Sequence, residues 1–298
     1  MKLSKYKTQT MKNDKTVSDE ELIKSSLEGN KKHLEILIER YNDYIFNICY
    51  KMLWNIEDAK DLTQEILISF ITKLDSFKFK STFKTWLYRI AVNHILNYRK
   101  SKNRNREFPF AQYGNQLDNT PDYLLKQKTY GDIDNEILYE EVKQTCMSGM
   151  LMCLDNKSRI IFVIGEILGF NDKIGSEILE ISPANFRMIL SRAKKQLYNF
   201  MNHKCGLVNK KNPCRCSKKT RSFVEAGYVN PKNLLFYPKH RTFIEETASE
   251  KQDEMEDYFY SEYRNLYKQH TFMSNKEFAE ELNKILSLKK VKTLFNLN

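Results

Sequence analysis

The segment Asn55-Ile56-Glu57-Asp58-Ala59-Lys60-Asp61-Leu62-Thr63-Gln64-Glu65-Ile66-Leu67-Ile68-Ser69-Phe70 decides how the chain reads. Ala59, Leu62, Ile66 and Phe70 recur at three- and four-residue intervals, which predicts one apolar stripe along a helix from about Asn55 to Leu74. Asp58, Asp61 and Glu65, at i, i+3 and i+7, gather on another face with Gln64 beside them. Such a helix has one side for a core and a separate acidic side for a partner.

The same periodicity extends in both directions. Upstream, Ser18 with Glu21 makes a capping box for a short helix carrying Leu22, Ile23 and Leu27 on one side, and Gly29 closes it. Asn30 caps a second helix in which Leu34, Leu37, Ile38, Tyr41, Ile45 and Ile48 recur as far as about Leu53. Downstream, a helix from about Thr82 to Lys102 holds Phe83, Trp86, Leu87, Ile90, Ala91 and Ile95 on one stripe, with Asn93, Asn97 and Arg99 on more polar sides. Residues 107–135 lose this pattern and contain Pro109, Gly114, Pro121 and Gly131, which reads as a linker. Ile137, Leu138, Val142, Met150, Leu151 and Leu154 then mark another helix, and Asp155 or Asn156 caps the next, to about Leu168. Lys173 to Leu179 forms a short helix. After the Glu180-Ile181 turn, Ser182 as N-cap and Pro183 at the first helical position open a helix through Met201, giving the dimensions of a helix-turn-helix.

Composition agrees. Nine Gly and six Pro in 298 residues disfavour collagen-like, low-complexity and turn-rich all-β chains, while 41% hydrophobic and 29% charged residues suffice for packed cores. The expected fold is all-α: a basic tail over 1–16, a helical domain over 17–106, the linker 107–135, a helix-turn-helix domain over 136–203 and a partly helical extension over 204–298. The apolar stretch Ile160 to Phe170 is interrupted by Glu166 and falls far short of the ~20 residues that span a bilayer, so no membrane insertion is expected. Lys2, Lys5, Lys7, Lys12 and Lys15 are followed by no apolar segment, which argues against a secretory signal and for a cytoplasmic location.

Net charge is +11, from 49 Lys plus Arg against 38 Asp plus Glu. Its distribution is more telling. From Phe77 to Arg106 there are nine cations and no acid; from Ile181 to Arg221 there are eleven, again with no acid. Between Glu245 and Glu262 the balance reverses, with Lys251 the single cation among eight acids. Two separated basic blocks point to two contacts with a polyanion, nucleic acid first among them.

The stretch Asp58-Ala59-Lys60-Asp61-Leu62-Thr63-Gln64-Glu65 resembles the signature of bacterial RNA polymerase sigma factors of the extracytoplasmic-function class, and the resemblance runs from about Val17 to Met201. It implies two helical domains, a promoter-melting one and a helix-turn-helix one, with core RNA polymerase and promoter DNA as partners and an anti-sigma factor or other regulator as a further one. It implies that Asp58, Asp61, Gln64 and Glu65 dock on the positively charged clamp helices of the polymerase. The loop Phe77-Lys78-Phe79-Lys80-Ser81-Thr82 and the helix Phe83-Lys84-Thr85-Trp86-Leu87-Tyr88-Arg89-Ile90-Ala91-Val92-Asn93 are similar to the region that melts and reads the minus-ten element. Aromatics interleaved with cations suit that work, since unstacked bases need π-faces and their phosphates need neutralising. Phe77 and Phe79 are the candidates for base capture, Asn93 and Asn97 for base edges, and Lys80, Lys84, Arg89 and Arg99 for phosphates; Trp86 reads as core. In the second domain the resemblance places Ser182, Asn185, Arg187, Met188, Ser191, Arg192 and Lys195 toward the major groove at the minus-thirty-five element, with Phe186, Ile189, Leu190 and Leu197 as core. Asn97 and Ile189 depart from the family's usual acid and base, and Lys173-Ile174-Gly175-Ser176 departs from its commonest pattern. No cofactor is required, and no glycine-rich phosphate loop, triad signature or metalloprotease motif suggests an enzyme. The alternative is a stand-alone helix-turn-helix regulator, for which the acidic face is superfluous.

Six cysteines in a cytosolic chain do not suggest a disulfide framework. Cys49, Cys146 and Cys153 lie in apolar helical patterns and read as buried small hydrophobes. Cys205, Cys214 and Cys216, spaced C-x8-C-x-C in a segment resembling a C-terminal extension of one subset of the family, form a cluster with His203 just upstream and His240 further on. Three thiolates and an imidazole, His203 first, would make a tetrahedral zinc site; a redox-responsive thiol cluster and unliganded cysteines stay open beside it. Lys204, Arg215, Lys218 and Lys219 are expected to lower the thiol pKa values.

Overall fold

A computed structural model describes residues 17–101, 108–126, 129–131, 133–236 and 278–295. The first four helices are α1 (Asp19–Leu27), α2 (Lys31–Leu53), α3 (Ile56–Thr72) and α4 (Phe83–Ser101), with a 3-10 turn at Leu74–Ser76 between the last two. The first two begin at the expected caps, Ser18 and Asn30, which accept the backbone N–H of Glu21 and His33, each at 3.2 Å; Asn55 caps the third by accepting that of Asp58 at 2.9 Å. Their apolar stripes meet in one core in which Leu37, Ile38, Ile45, Ala59, Leu62, Ile66, Phe70, Leu87 and Ile95 are all but inaccessible.

Residues 108–126 fall in the segment expected to link the two domains. They contain α5 (Phe110–Asn119), whose Phe110 and Tyr113 rings lie 5.2 and 5.9 Å from that of Phe200. The second domain then comprises α6 (Asn135–Leu151), α7 (Asn156–Phe162) running into a π-helical turn at Val163–Ile167, α8 (Asp172–Leu179) and α9 (Pro183–Lys204). Ser182 caps α9 as expected, accepting from the Asn185 N–H at 3.2 Å. The departure at Gly175 has a packing reason: a Cβ there would lie 2.5 Å from the Phe186 ring, so only glycine lets α8 approach α9 this closely.

The two domains share a seam built around Arg159. Almost wholly buried, its guanidinium donates to the carbonyls of Leu151 at 2.8 Å, Met52 at 2.9 Å, Met152 at 2.9 Å and Leu154 at 2.8 Å. Arg99 reaches the same Met52 carbonyl from α4.

Beyond α9, a loop joined by an isolated parallel bridge between Cys205 and Cys214 leads to α10 (Cys216–Glu225). Segment 226–236 then returns to the first domain, where Tyr228 stacks on Trp54 with centroids 6.0 Å apart and Phe236 meets Tyr50 at 6.1 Å. Glu141 receives the backbone N–H groups of Leu235 and Phe236 and so ties this strap to α6. At the end of the chain, α11 (Phe278–Ser287) matches the expected last helix, and a further short one, α12 (Lys289–Phe295), follows it; both contact α3, and α12 also contacts α1. The N-terminal tail, His240, the acidic run 242–269 and the Ser274/Glu277 box lie outside the described residues. Among those described, all regular structure is helical and no helix is long and apolar enough to cross a membrane.

Candidate nucleic-acid and protein-docking interface

On α3, packing divides the four acidic-face residues. Asp61 and Glu65 are exposed and Gln64 half-buried. Asp58 instead accepts a hydrogen bond from the Tyr98 hydroxyl at 2.9 Å, which ties α3 to α4 and turns this carboxylate toward the structure rather than a partner.

The loop after α3 corrects one expectation. Phe77 is 5% exposed, its ring surrounded by Phe79 at 4.7 Å, Trp86 at 5.4 Å and Phe83 at 5.6 Å, so it supports the loop from beneath. Phe79 is the aromatic left at the surface, 43% exposed and with a backbone φ of 55°. Lys24 sits 5.6 Å from its ring centre, and Lys80 is exposed beside it. Trp86 is half-buried against Phe77 and Phe83, as a core-edge residue.

Along α4, Asn93, Asn97 and Lys100 are exposed at i, i+4 and i+7, and Lys84 is half-buried. Lys100 was not among the expected contacts, although its spacing from Asn93 and Asn97 is visible in the sequence. Arg99, expected at a phosphate, is instead 5% exposed and donates to the Met52 carbonyl. Arg89 lies between the two domains, donating to the Glu177 carbonyl at 3.0 Å, with its carboxylate at 3.4 Å and that of Glu180 at 3.7 Å. Neither acid was singled out from the sequence, because nothing local couples α8 to α4.

The helix-turn-helix presents a cleaner row. Met188 is 44% exposed, and Arg187, Ser191, Arg192 and Lys195 are exposed along the same side of α9. Arg187 pairs with Asp172 at the start of α8, Asn185 is half-buried, and the Ser182 hydroxyl is occupied as the helix cap. Phe186 and Leu197 are buried and Ile189 and Leu190 half-buried, in line with their reading as core.

The cysteine cluster departs furthest from expectation. The His203 ring nitrogen Nδ1 is hydrogen-bonded to the Asn199 carbonyl of its own helix at 2.6 Å, and His203 is absent from the cavity that Cys205, Cys214 and Cys216 line. Cys146 of α6 lines that cavity instead. Burial raises the thiol pKa values more than nearby cations lower them, leaving Cys205 and Cys214 raised and pushing Cys216 up to about 12. Among the described residues, no three His, Cys, Asp or Glu side chains stand close enough together to hold a metal ion.

Residues 37–105 match the family described as sigma-70 region 2. The chain is 36% identical over 80 residues to the ECF RNA polymerase sigma factor SigW of Bacillus subtilis, covering 27% of this chain and 43% of that one. It thus spans less than half the length of that relative. Similarity to the ECF RNA polymerase sigma-E factor of Haemophilus influenzae is longer but lower, 25% identity over 185 residues, covering 61% of this chain and 95% of the relative. Among solved structures the chain resembles CnrH in complex with the cytosolic domain of CnrY, at TM-score 0.45 and 17% identity over 61% of this chain and 96% of that one, too slight a likeness to carry an argument.

Proposed function

We propose that this chain is an RNA polymerase sigma factor of the extracytoplasmic-function class, which binds core RNA polymerase and directs promoter recognition, strand opening and the start of transcription. The observation that carries this is a juxtaposition within the segment matched to region 2. An exposed acidic pair, Asp61 and Glu65, stands on α3, while Asn93, Asn97 and Lys100 line α4 and Phe79 crowns the loop between them. Carboxylates repel a DNA backbone and attract a basic protein surface, so one small domain offers two faces for partners of opposite charge. Phe79 would stack an unpaired base while Lys80 and Lys84 hold phosphates, and Asn93 and Asn97 would read base edges. The α9 row of Met188, Ser191, Arg192 and Lys195 would enter a major groove at the upstream element. The chain itself recognises and holds; the polymerase supplies the chemistry. It acts in the cytoplasm, where polymerase and chromosome are.

Transcription reconstituted from purified core polymerase and fragmented genomic DNA tests the reading. The expected result is initiation at discrete sites that depends on adding the chain. Sequence-specific duplex binding without any affinity for core would instead identify the stand-alone regulator, for which Asp61 and Glu65 serve no purpose.

A further inference from the structure

We propose that Cys146, Cys205, Cys214 and Cys216 together form a four-sulfur site for zinc, joining α6 to the C-terminal extension. The four thiols line one cavity whose remaining walls are largely apolar, among them Leu117, Val142, Met150 and Phe223. Each has a group suited to a thiolate. The backbone N–H groups of Leu207 and Val208 donate to the Cys205 sulfur, two and three residues after it in the chain. The Tyr113 hydroxyl lies 3.5 Å from the Cys146 sulfur. Cys216 is the first residue of α10, where the helix dipole favours negative charge. Lys219, itself only 7% exposed, acts electrostatically on Cys214.

The loop that carries three of the thiols is tied in place. Gly206 donates to the Cys214 carbonyl at 3.1 Å, and Asn212 donates to the carbonyls of Asn202 at 2.9 Å and Cys205 at 3.2 Å. Arg215 donates to the carbonyls of Cys214 at 2.9 Å and Lys210 at 2.8 Å. A Cβ on Gly206 would collide with the Cys214 carbonyl at 2.4 Å, so the turn that sets Cys205 against Cys214 requires a residue without one. Such ordering of a polar loop over an apolar cavity is costly unless something inside rewards it.

A thiophilic ion is that reward. Four thiols around one cavity can supply the complete ligand set of a structural zinc ion. On binding, each ligating thiol gives its proton to solvent and its sulfur closes to about 2.3 Å of the metal in a tetrahedron. The four thiols line the cavity without three of them meeting at one point, so binding requires their sulfurs to turn inward on the loop and helix that hold them. His203 takes no part.

The test is independent of the promoter reading. Full-length chain purified in reductant without chelator is expected to hold about one zinc, replaceable by cobalt with the absorption of a tetrahedral tetrathiolate. Cys146→Ser should weaken zinc affinity by at least ~100-fold, the upper end of what losing a merely supporting hydrogen bond costs, whereas His203→Ala should leave it unchanged. Should Cys146→Ser fail to fold, alkylation of the wild-type chain decides: chelation is expected to expose Cys146, Cys205, Cys214 and Cys216 and leave Cys49 and Cys153 as they were. Absence of zinc from the purified chain, loss with His203→Ala but retention with Cys146→Ser, or an alkylation pattern indifferent to chelation each overturns the proposal.

Discussion

Helices α4 and α9 both turn cations and polar side chains outward, yet they are held in different ways. On α9 the exposed row from Arg187 to Lys195 is positioned inside its own domain, by Phe186 beneath Gly175 and by the pairing of Arg187 with Asp172. On α4 the exposed Asn93, Asn97 and Lys100 flank residues committed elsewhere: Arg89 to Glu177 and Glu180 of α8, and Arg99 to the carbonyl at the seam. The first surface stands alone, while the second is coupled to the neighbouring domain. Arg89 is thus held by the neighbouring domain, whereas the α9 row is held within its own.

Breaking the seam should have the largest effect. Arg159→Ala removes a charged donor from four carbonyls at the seam, leaving that of Met52 to Arg99, and the expected loss is about 3–5 kcal/mol in urea denaturation, with the separation of the α4 and α9 domains into two transitions. Lys51 probes the same region through pH. Burial lowers its pKa from 10.5 to about 7, so the folded chain releases this proton first and stability rises with pH between those values, by up to about 1.4 kcal/mol per unit. Buried Cys49, raised to about 12, pulls the other way above its ordinary value of 9.0. Comparing thermal unfolding of the wild type with Lys51→Met from pH 7 to 9 isolates the residue; the variant's curve should be flatter.

Gly175→Ala tests what positions α9. The added methyl meets the Phe186 ring, and a loss of roughly 1–3 kcal/mol is expected in the second domain, with weaker duplex binding. Smallest in stability is Glu177→Gln with Glu180→Gln, since the ion pairs with Arg89 are partly exposed and contribute at most about 1 kcal/mol. Its informative effect is on binding: Arg89 keeps the Glu177 carbonyl but loses both carboxylates, and the weaker hold should tighten capture of single-stranded promoter DNA, read by fluorescence anisotropy, while leaving duplex affinity through α9 unchanged.

Much of this architecture was legible because its signals are local. Ser18, Asn30 and Ser182 cap the helices their positions suggest, and of Asp155 and Asn156 it is Asp155 that does so, since a cap and a periodic stripe need no knowledge of the rest of the chain. Helix α5 was obscured by reading Pro109 and Gly114 as breakers. Pro109 stands just before its first turn, and Gly114 is where Phe200 and Lys204 press against it. The site residues divide the same way. Exposure of Asp61, Glu65, Ser191 and Arg192 follows from helical facing alone. Burial of Phe77 and Arg99, the clamp on Arg89 and the arrival of Cys146 beside Cys205 depend on which helices meet, and residue type carries no trace of that.

The central claim is that one small domain faces two partners of opposite charge, and charge reversal tests it most directly. Binding of the Asp61→Lys, Glu65→Lys double variant to purified core polymerase should fall by at least ~10-fold, about 1.4 kcal/mol, with helicity and binding of isolated promoter DNA retained. Unchanged affinity for core, in a variant that folds, would contradict the account.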